Sequence, residues 1–204
     1  MKILYGTTNQ AKLDSMRRIT ESLGIEIIGL KELNQTLLCI DESGRNPLEN
    51  AKIKAEAYYK AFSMPVFSCD SGLYFDELED DKQPGTHIRR VNGKELSDEE
   101  MIDYYADIAK QYNNQLIGRY CNAIYLIIDE NNCFSSMDEA LSTEPFKIVH
   151  EAHAKRVKGF PLDSISVDIA TGKYYYDLEE KSVDQSAVEQ GFRAFFEQVL
   201  KEIG

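Results

Sequence analysis

The chain has 204 residues, of which 43% are hydrophobic, and this is enough to bury one sizeable core or one core divided between two lobes. The formal net charge of −12 argues against a nucleic-acid-binding surface, because such surfaces neutralise phosphates with clustered lysine and arginine. A small anionic substrate fits this charge only if the few cations converge on one place.

The cysteines and the apolar runs indicate the cellular compartment. The four cysteines are widely spaced and form no C-x-x-C pair, so we expect reduced thiols in or near the core rather than zinc ligands: Cys39, Cys69, Cys121 and Cys133. The sequence has no apolar run of about 18 residues, and Met1 leads directly into a strand-like segment. We therefore expect a cytoplasmic protein with no membrane partner.

The first predicted unit is a strand over residues 2–5, a turn over 6–9 and a helix that Gly24 ends. Thr8 or Asn9 can cap this helix, and its free amides and dipole would attract an anion, with the ammonium group of Lys12 one turn further on. The alternative is an ordinary helix cap with a solvent-facing lysine.

A second strand is predicted over residues 26–28, and a long loop over residues 34–45 carries Asp41 and Glu42. The segment 46–49 has the cap, the proline and the acid that are typical of a helix start, and the helix should reach about Ala61. Lys54 on this helix is either solvated or points toward the end of the next strand.

Residues 65–73 predict a buried strand that stops at an acid, a hydroxyl and a glycine. Because Ser71 and Gly72 are turn residues, we expect Asp70 at the carboxyl end of this strand. Ligands of open α/β sheets bind just beyond such ends, where a rigidly held carboxylate can ligate Mg²⁺ or orient a water. The alternative is a polar turn that only ends a strand.

The remaining chain predicts helices from a capping box at Ser97 to about Tyr112 and over residues 186–203, with strands over 119–128 and 146–154. His150 and His153 do not have the H-E-x-x-H spacing of a zinc helix. Without repeats or linkers, we expect residues 1–204 to form one α/β domain with two lobes.

Taken together, these motifs resemble those of the inosine triphosphate pyrophosphatase family, which acts on non-canonical purine nucleotides. The family motifs T-x-N-x-x-K, E-E-T-G, E-N-A-x-x-K-A and D-D-S-G-L correspond to residues 7–12, 41–44, 49–55 and 69–73. The family stretch P-G-x-x-x-x-R corresponds to residues 84–90. Each motif is weak alone, whereas their order and spacing are specific.

The resemblance implies an elongated α/β fold, in which a mixed sheet is split into two lobes with helices around it and a nucleotide cleft between the lobes. It also implies a homodimer that hydrolyses a nucleoside triphosphate to the monophosphate and pyrophosphate with Mg²⁺. Asp70 and Lys54 would be catalytic, and Asp41 and Asp70 would hold the metal. The residues implied in substrate binding are Thr7, Thr8, Asn9, Lys12, Ser71, Arg90, Phe160, Asp163 and Lys181.

The sequence departs from the family pattern at three places. Cys69 replaces the first aspartate of D-D-S-G-L, and we expect Asp70 to suffice because the central role falls on the second position. Pro161-Leu162 replaces the second glycine and the second aromatic residue of G-F-G-[YW]-D. The His-Arg pair that would recognise a 6-keto purine is missing near Gln190 and Gly191, which argues for altered base specificity.

Two other functions remain open on the sequence. The first is a catalytically weak nucleotide-binding or regulatory protein that keeps the fold and the phosphate site. The second is a globular protein with no nucleotide role, which no nucleotide or metal would stabilise.

Overall fold

A computed structural model describes residues 1–33, 38–178 and 185–204. The helices are α1 (Gln10–Thr20), α2 (Pro47–Phe62), α3 (Asp98–Gln111) and α4 (Gln185–Ile203). The strands are β1 (Lys2–Tyr5), β2 (Glu26–Gly29), β3 (Val66–Phe75), β4 (Arg90–Val91), β5 (Lys94–Glu95), β6 (Leu116–Ile127), β7 (Cys133–Ser136), β8 (Phe146–Ile148) and β9 (Ser166–Asp168).

Seven strands form one mixed sheet in the order β2-β1-β3-β6-β8-β9, with β7 beside β6. Strands β1, β2 and β3 are parallel, whereas β7, β8 and β9 join through antiparallel pairs. Helices complete the structure, so the predicted mixed α/β class is confirmed.

The first compact unit comprises Met1–Ser71, Cys121–Ser142 and Ser186–Gly204. Alternate residues of β1 face opposite sides of its sheet: Ile3 and Tyr5 pack with α1 and α4, and Leu4 packs with α2. Phe67 of β3 shares the first side and stacks on Tyr5, with ring centroids 4.3 Å apart. Both faces of β1 and β3 are therefore covered, as parallel strands require.

The second compact unit comprises Gly72–Tyr120 and Thr143–Gln185. Its core packs α3 against the later part of β3 and against β8, around the buried residues Leu73, Phe75, Met101, Tyr105, Leu116 and Phe146. The capping box predicted at Ser97 is confirmed, since Ser97 accepts from the Glu100 amide and Glu100 accepts from the Ser97 amide. The prediction that all 204 residues form one domain stays a prediction.

The strand predicted to stop near Ser71 instead continues to Phe75. The sequence Ser71-Gly72 does not turn, because Leu73 and Gly85 exchange two backbone hydrogen bonds of 2.9 and 3.0 Å. A Cβ on Gly72 would lie 3.1 Å from the Gly85 carbonyl, so this glycine permits a close backbone approach.

Because β3 continues to Phe75, the expectation that Asp70 ends its strand is wrong. Asp70 instead lies three residues beyond Phe67, the last residue with a partner in β1.

Two further predictions are wrong in part. The strand expected over residues 146–154 ends at Ile148, because the amides of Val149 and His150 bond to Ile165 and to the Asn114 side chain outside any ladder. Of the cysteines expected in or near the core, Cys39 and Cys133 are exposed. Within residues 1–33, 38–178 and 185–204, no helix is both long and apolar enough to cross a bilayer.

Candidate active site

A lysine held between two carboxylates forms the centre of the candidate site in the first unit. Nζ of Lys54 donates to Asp70 Oδ1 at 2.8 Å and to Glu42 Oε2 at 3.0 Å. The Lys54 and Asp70 side chains are only 13% and 15% exposed, whereas Glu42 is 47% exposed. We call these three residues together with Asn50 the Asp70 cluster.

The Asp70 cluster changes the ionisation of its lysine. Burial alone lowers the pKa of the Lys54 ammonium group, because it disfavours the charged form. The hydrogen bonds and negative charges of Asp70 and Glu42 outweigh this effect, so the pKa is raised. Lys54 is therefore a fixed positive charge at neutral pH.

The start of α2 determines which side chains reach Asp70. Asn46 caps the helix by accepting from the Glu49 amide at 2.9 Å, and Pro47 occupies the first turn. Asn50 and Lys54 both lie within this helix, and their spacing of four residues places them on one face of it. Both side chains contact Asp70, which settles the question left open for Lys54: it points to the strand and is not solvated.

Asn50 and Glu42 are the two members of the cluster that the sequence did not identify as site residues. Asn50 is 2% exposed, donates to Asp70 Oδ2 at 3.1 Å and accepts from the Gly44 amide at 2.7 Å. The signal for Asn50 was its four-residue spacing from Lys54 on a capped helix. No periodicity in the preceding loop distinguishes Glu42 from its neighbour Asp41.

The turn before α1 provides a second polar group in the first unit. Asn9 caps α1 by accepting from the amides of Ala11 and Lys12 at 3.0 and 3.3 Å, and Thr7 accepts from the Asn9 amide at 3.2 Å. The capping role proposed for Asn9 is confirmed. Thr8, Asn9 and Lys12 are exposed, so they remain accessible to an anion.

Gly6 lets this turn lie directly against β3 and α2. A Cβ at this position would lie 2.3 Å from Ser68 Oγ and 2.6 Å from the Tyr58 ring, so a larger residue would displace the turn. Among the buried side-chain nitrogen and oxygen atoms of the described residues, only Ser68 Oγ lacks a hydrogen-bond partner.

Cys69 lies between the two groups but on the opposite face of β3 from Asp70. It packs with the cluster of Tyr5 and Phe67, and burial raises the pKa of its thiol to about 12, against the opposing effects of the Tyr5 hydrogen bond and the Lys12 charge. Asp70 keeps its 2.8 Å hydrogen bond with Lys54 next to Cys69, so a cysteine at the position of the family's first aspartate is compatible with this pair.

Ser71 is held by a hydrogen-bond chain within the first unit. Its hydroxyl donates to Asn122 Oδ1 at 2.6 Å, and Asn122 Nδ2 donates to the Leu141 carbonyl at 2.6 Å. Asp41, predicted as a metal ligand, is exposed and makes no hydrogen bond or ion pair with the described residues. No group of three or more potential metal ligands occurs in the described part of the chain.

The remaining predicted substrate residues belong to the second unit. Arg90 is exposed in the β4–β5 hairpin, and Phe160 is 61% exposed. Asp163 is partly buried, and this burial raises the pKa of its carboxyl group. Lys181 lies outside the described residues.

Asp70 on β3, Lys54 on α2 and Glu42 in the preceding loop place a cation between two carboxylates, and the capped start of α1 follows the neighbouring strand β1. An α/β protein with these two groups is suited to a phosphorylated ligand. The model of the Ham1 family matches residues 3–160, and the chain belongs to this family. The resemblance deduced from the motifs is thereby confirmed.

Several relatives carry the name dITP/XTP pyrophosphatase. The relative from Oceanobacillus iheyensis is 34% identical over 102 residues, which are 50% of this chain and 51% of that protein. The relative from Aquifex aeolicus is 36% identical over 90 residues, 44% of this chain and 42% of that protein. The chain thus spans about half the length of these relatives. The relative from Leptospira interrogans is 26% identical over 181 residues, 89% and 87% of the two chains.

Solved structures show the same fold. A HAM1 protein from Coxiella burnetii superimposes with a TM-score of 0.78 at 23% identity, covering 99% of both chains. The Staphylococcus aureus Ham1 protein gives a TM-score of 0.74 at 22% identity, covering 97% of this chain and 99% of the other.

Proposed function

We propose that the chain is a Mg²⁺-dependent nucleoside triphosphate pyrophosphatase, which releases a nucleoside monophosphate and pyrophosphate from non-standard purine nucleotides. The observation that carries this proposal is the Asp70–Lys54–Glu42 arrangement, in which a buried cation and two carboxylates converge. The names of the relatives support the reaction class.

The phosphate chain would bind first to the start of α1. The exposed side chains of Thr8 and Asn9, the helix dipole and the ammonium group of Lys12 supply donors and positive charge there. Lys54 adds a second cation and, at a net charge of −12, these local cations are needed to attract a triphosphate.

Hydrolysis would then proceed through water activated at Asp70. The water oxygen forms a bond to the α-phosphorus, its proton passes toward the Asp70 carboxylate, and the bond from the α-phosphorus to the bridging oxygen breaks as pyrophosphate leaves. Lys54 holds Asp70 in place through the 2.8 Å hydrogen bond and stabilises negative charge on the phosphates.

The residues fit Mg²⁺ by the chemistry of their donors. Asp70 with Glu42 or Asp41 offers hard carboxylate oxygens, and Mg²⁺ is usually bound by one or two carboxylates together with substrate phosphates. When bound, the metal would neutralise phosphate charge.

Base recognition would involve Phe160, Asp163, Arg90 and Lys181, with weaker discrimination than in the family. Gly191 stands near the position of the missing His-Arg pair, and a Cβ there would lie 2.0 Å from the Ala140 carbonyl. The packing of α4 therefore excludes any side chain at this position. We infer that the chain discriminates less strictly between purine bases and accepts nucleotides other than dITP and XTP.

A nucleotide panel tests this function. Purified protein is mixed with Mg²⁺ and each of dITP, ITP, XTP, dGTP, GTP and ATP, and pyrophosphate is measured. We expect release from at least one nucleotide, and loss of at least about 100-fold in Asp70→Asn, because the base is removed. Lys52→Met, which alters a 51% exposed lysine on the same helix, is the matched control.

Two results would contradict the proposal. Nucleotide binding without turnover on any member favours the catalytically weak binding protein. The absence of both nucleotide binding and thermal stabilisation favours a protein with no nucleotide role. We also propose a homodimer, a cytoplasmic location and a single two-lobed domain, and light scattering after gel filtration would test the first of these.

A further inference from the structure

Asn50 joins two segments that carry the acids of the Asp70 cluster. Its Oδ1 accepts from the backbone amide of Gly44 at 2.7 Å, and its Nδ2 donates to Asp70 Oδ2 at 3.1 Å. These partners fix the orientation of the side-chain amide, because the flipped form would face N–H against N–H and oxygen against carboxylate. At 2% exposure, water cannot readily replace either partner.

The loop is packed on Asn50 without spare room. A Cβ on Gly44 would lie 2.5 Å from Asn50 Oδ1 and 2.7 Å from the Asn50 backbone nitrogen. Only glycine allows this approach, and Glu42 is two residues earlier in the same loop. The position of Asn50 therefore sets the position of the loop that carries Glu42.

The two oxygens of Asp70 have different partners. Oδ1 accepts from Lys54 at 2.8 Å and Oδ2 accepts from Asn50 at 3.1 Å. With both oxygens held, rotation of the carboxylate about its last bond is restricted. Lys54 is held in turn by Glu42, at 3.0 Å. The contacts therefore form a closed ring that runs from Asn50 through the loop of Gly44 and Glu42 to Lys54, then to Asp70 and back to Asn50.

We propose that Asn50 is a positioning residue, which holds the Asp70 carboxylate and the loop of Gly44 as one unit so that acid and lysine keep their productive geometry. This inference rests on the proposed function for its catalytic consequence. Its structural part, the link between Asp70 and the Gly44 amide, can be tested without turnover.

Two substitutions separate the two hydrogen bonds. Asn50→Asp keeps an acceptor for the Gly44 amide and, at a pH where both neighbouring carboxyl groups are ionised, removes the donor to Asp70. Asn50→Leu removes both hydrogen bonds. We expect Asn50→Asp to lower kcat by about 10- to 100-fold with KM changed less than about threefold, because a misplaced base impairs the chemical step more than phosphate binding. A kcat within about twofold of wild type overturns the proposal.

Asn46→Ala is the control for helix stability. Asn46 caps the same helix one turn earlier and does not contact Asp70. We expect it to lower Tm by about 2–4 °C and to leave kcat unchanged at 25 °C. A comparable fall in kcat in this control would mean that Asn50 acts through helix stability, and the proposal would be wrong.

Amide hydrogen exchange at Gly44, followed by NMR, provides the second readout. We expect exchange at least about 10-fold faster in Asn50→Leu, near wild-type exchange in Asn50→Asp, and severalfold faster exchange in Asp70→Ala, since Asn50 then loses its acceptor. An unchanged rate in either Asn50→Leu or Asp70→Ala overturns the proposal. If the wild type is inert on every nucleotide, the proposed function fails, and this exchange measurement still decides the role of Asn50.

Discussion

Replacing Lys54 by methionine tests the electrostatic centre of the site. At 2.8 Å and an effective dielectric constant of about 20, the attraction between Lys54 and Asp70 is about 6 kcal/mol. Most of this attraction offsets the free-energy cost of removing the two side chains from water, since they are only 13% and 15% exposed. Asp70 keeps its Asn50 donor after the substitution, and Glu42 is half in solvent, so we expect Lys54→Met to cost about 2–3 kcal/mol of unfolding free energy.

A double-mutant cycle isolates the pair. Urea unfolding of wild type, Lys54→Met, Asp70→Asn and the double variant should give a coupling free energy of about 1–2 kcal/mol, because the second substitution removes the carboxylate that the first leaves unpaired. Lys52→Met should change the stability by no more than about 0.5 kcal/mol. Additive effects of the two substitutions would show that Lys54 and Asp70 do not stabilise each other.

The pH dependence has a defined sign. Because folding raises the pKa of Lys54, its stabilisation is fully present below the unfolded value of 10.5 and is lost as pH rises through the higher folded value. The wild-type advantage over Lys54→Met should therefore stay constant from pH 7 to 9 and shrink above about pH 10.5.

Three further predictions concern single side chains. Ser68→Ala should leave stability unchanged or raise it by up to about 1 kcal/mol in urea unfolding, because its buried hydroxyl has no partner; a loss above 1 kcal/mol would show that it has one. Ser97→Ala should lower the free energy of unfolding by about 1 kcal/mol because it removes the cap of α3, whereas Ser97→Thr should retain most of that stability. Equal losses in the two variants would contradict the capping role. Burial raises the pKa of the partly buried Cys69 thiol to about 12, so Cys69 should resist iodoacetamide at pH 9 while the exposed Cys39 and Cys133 react; equal rates of modification in mass spectrometry would contradict this shift.

The elements that position the lysine could be predicted from the sequence because their signals are local. The cap and proline at Asn46 and Pro47 define the start of α2, and the helical repeat then defines the face that carries Lys54. The capping box at Ser97 is equally local.

Other features depend on distant contacts and could not be predicted. Ser71-Gly72 has the composition of a turn, yet pairing between Leu73 and Gly85, twelve positions apart, extends the strand through it. The choice between Asp41 and Glu42 depends on where α2 places Lys54, since the loop has no repeat of its own. The spacing of Asn50 from Lys54 places the two side chains on one helix face, but the contact of Asn50 with Asp70 depends on how α2 packs against β3.

The role of Asp70 as the base in pyrophosphate release is tested by ³¹P NMR of a triphosphate that the panel identifies as a substrate, incubated with wild type and with Asp70→Asn. We expect monophosphate and pyrophosphate signals from wild type, and only unreacted triphosphate from Asp70→Asn, which should still bind the nucleotide through the start of α1. Wild-type rates in Asp70→Asn, or orthophosphate as the product of purified wild type, would contradict this role.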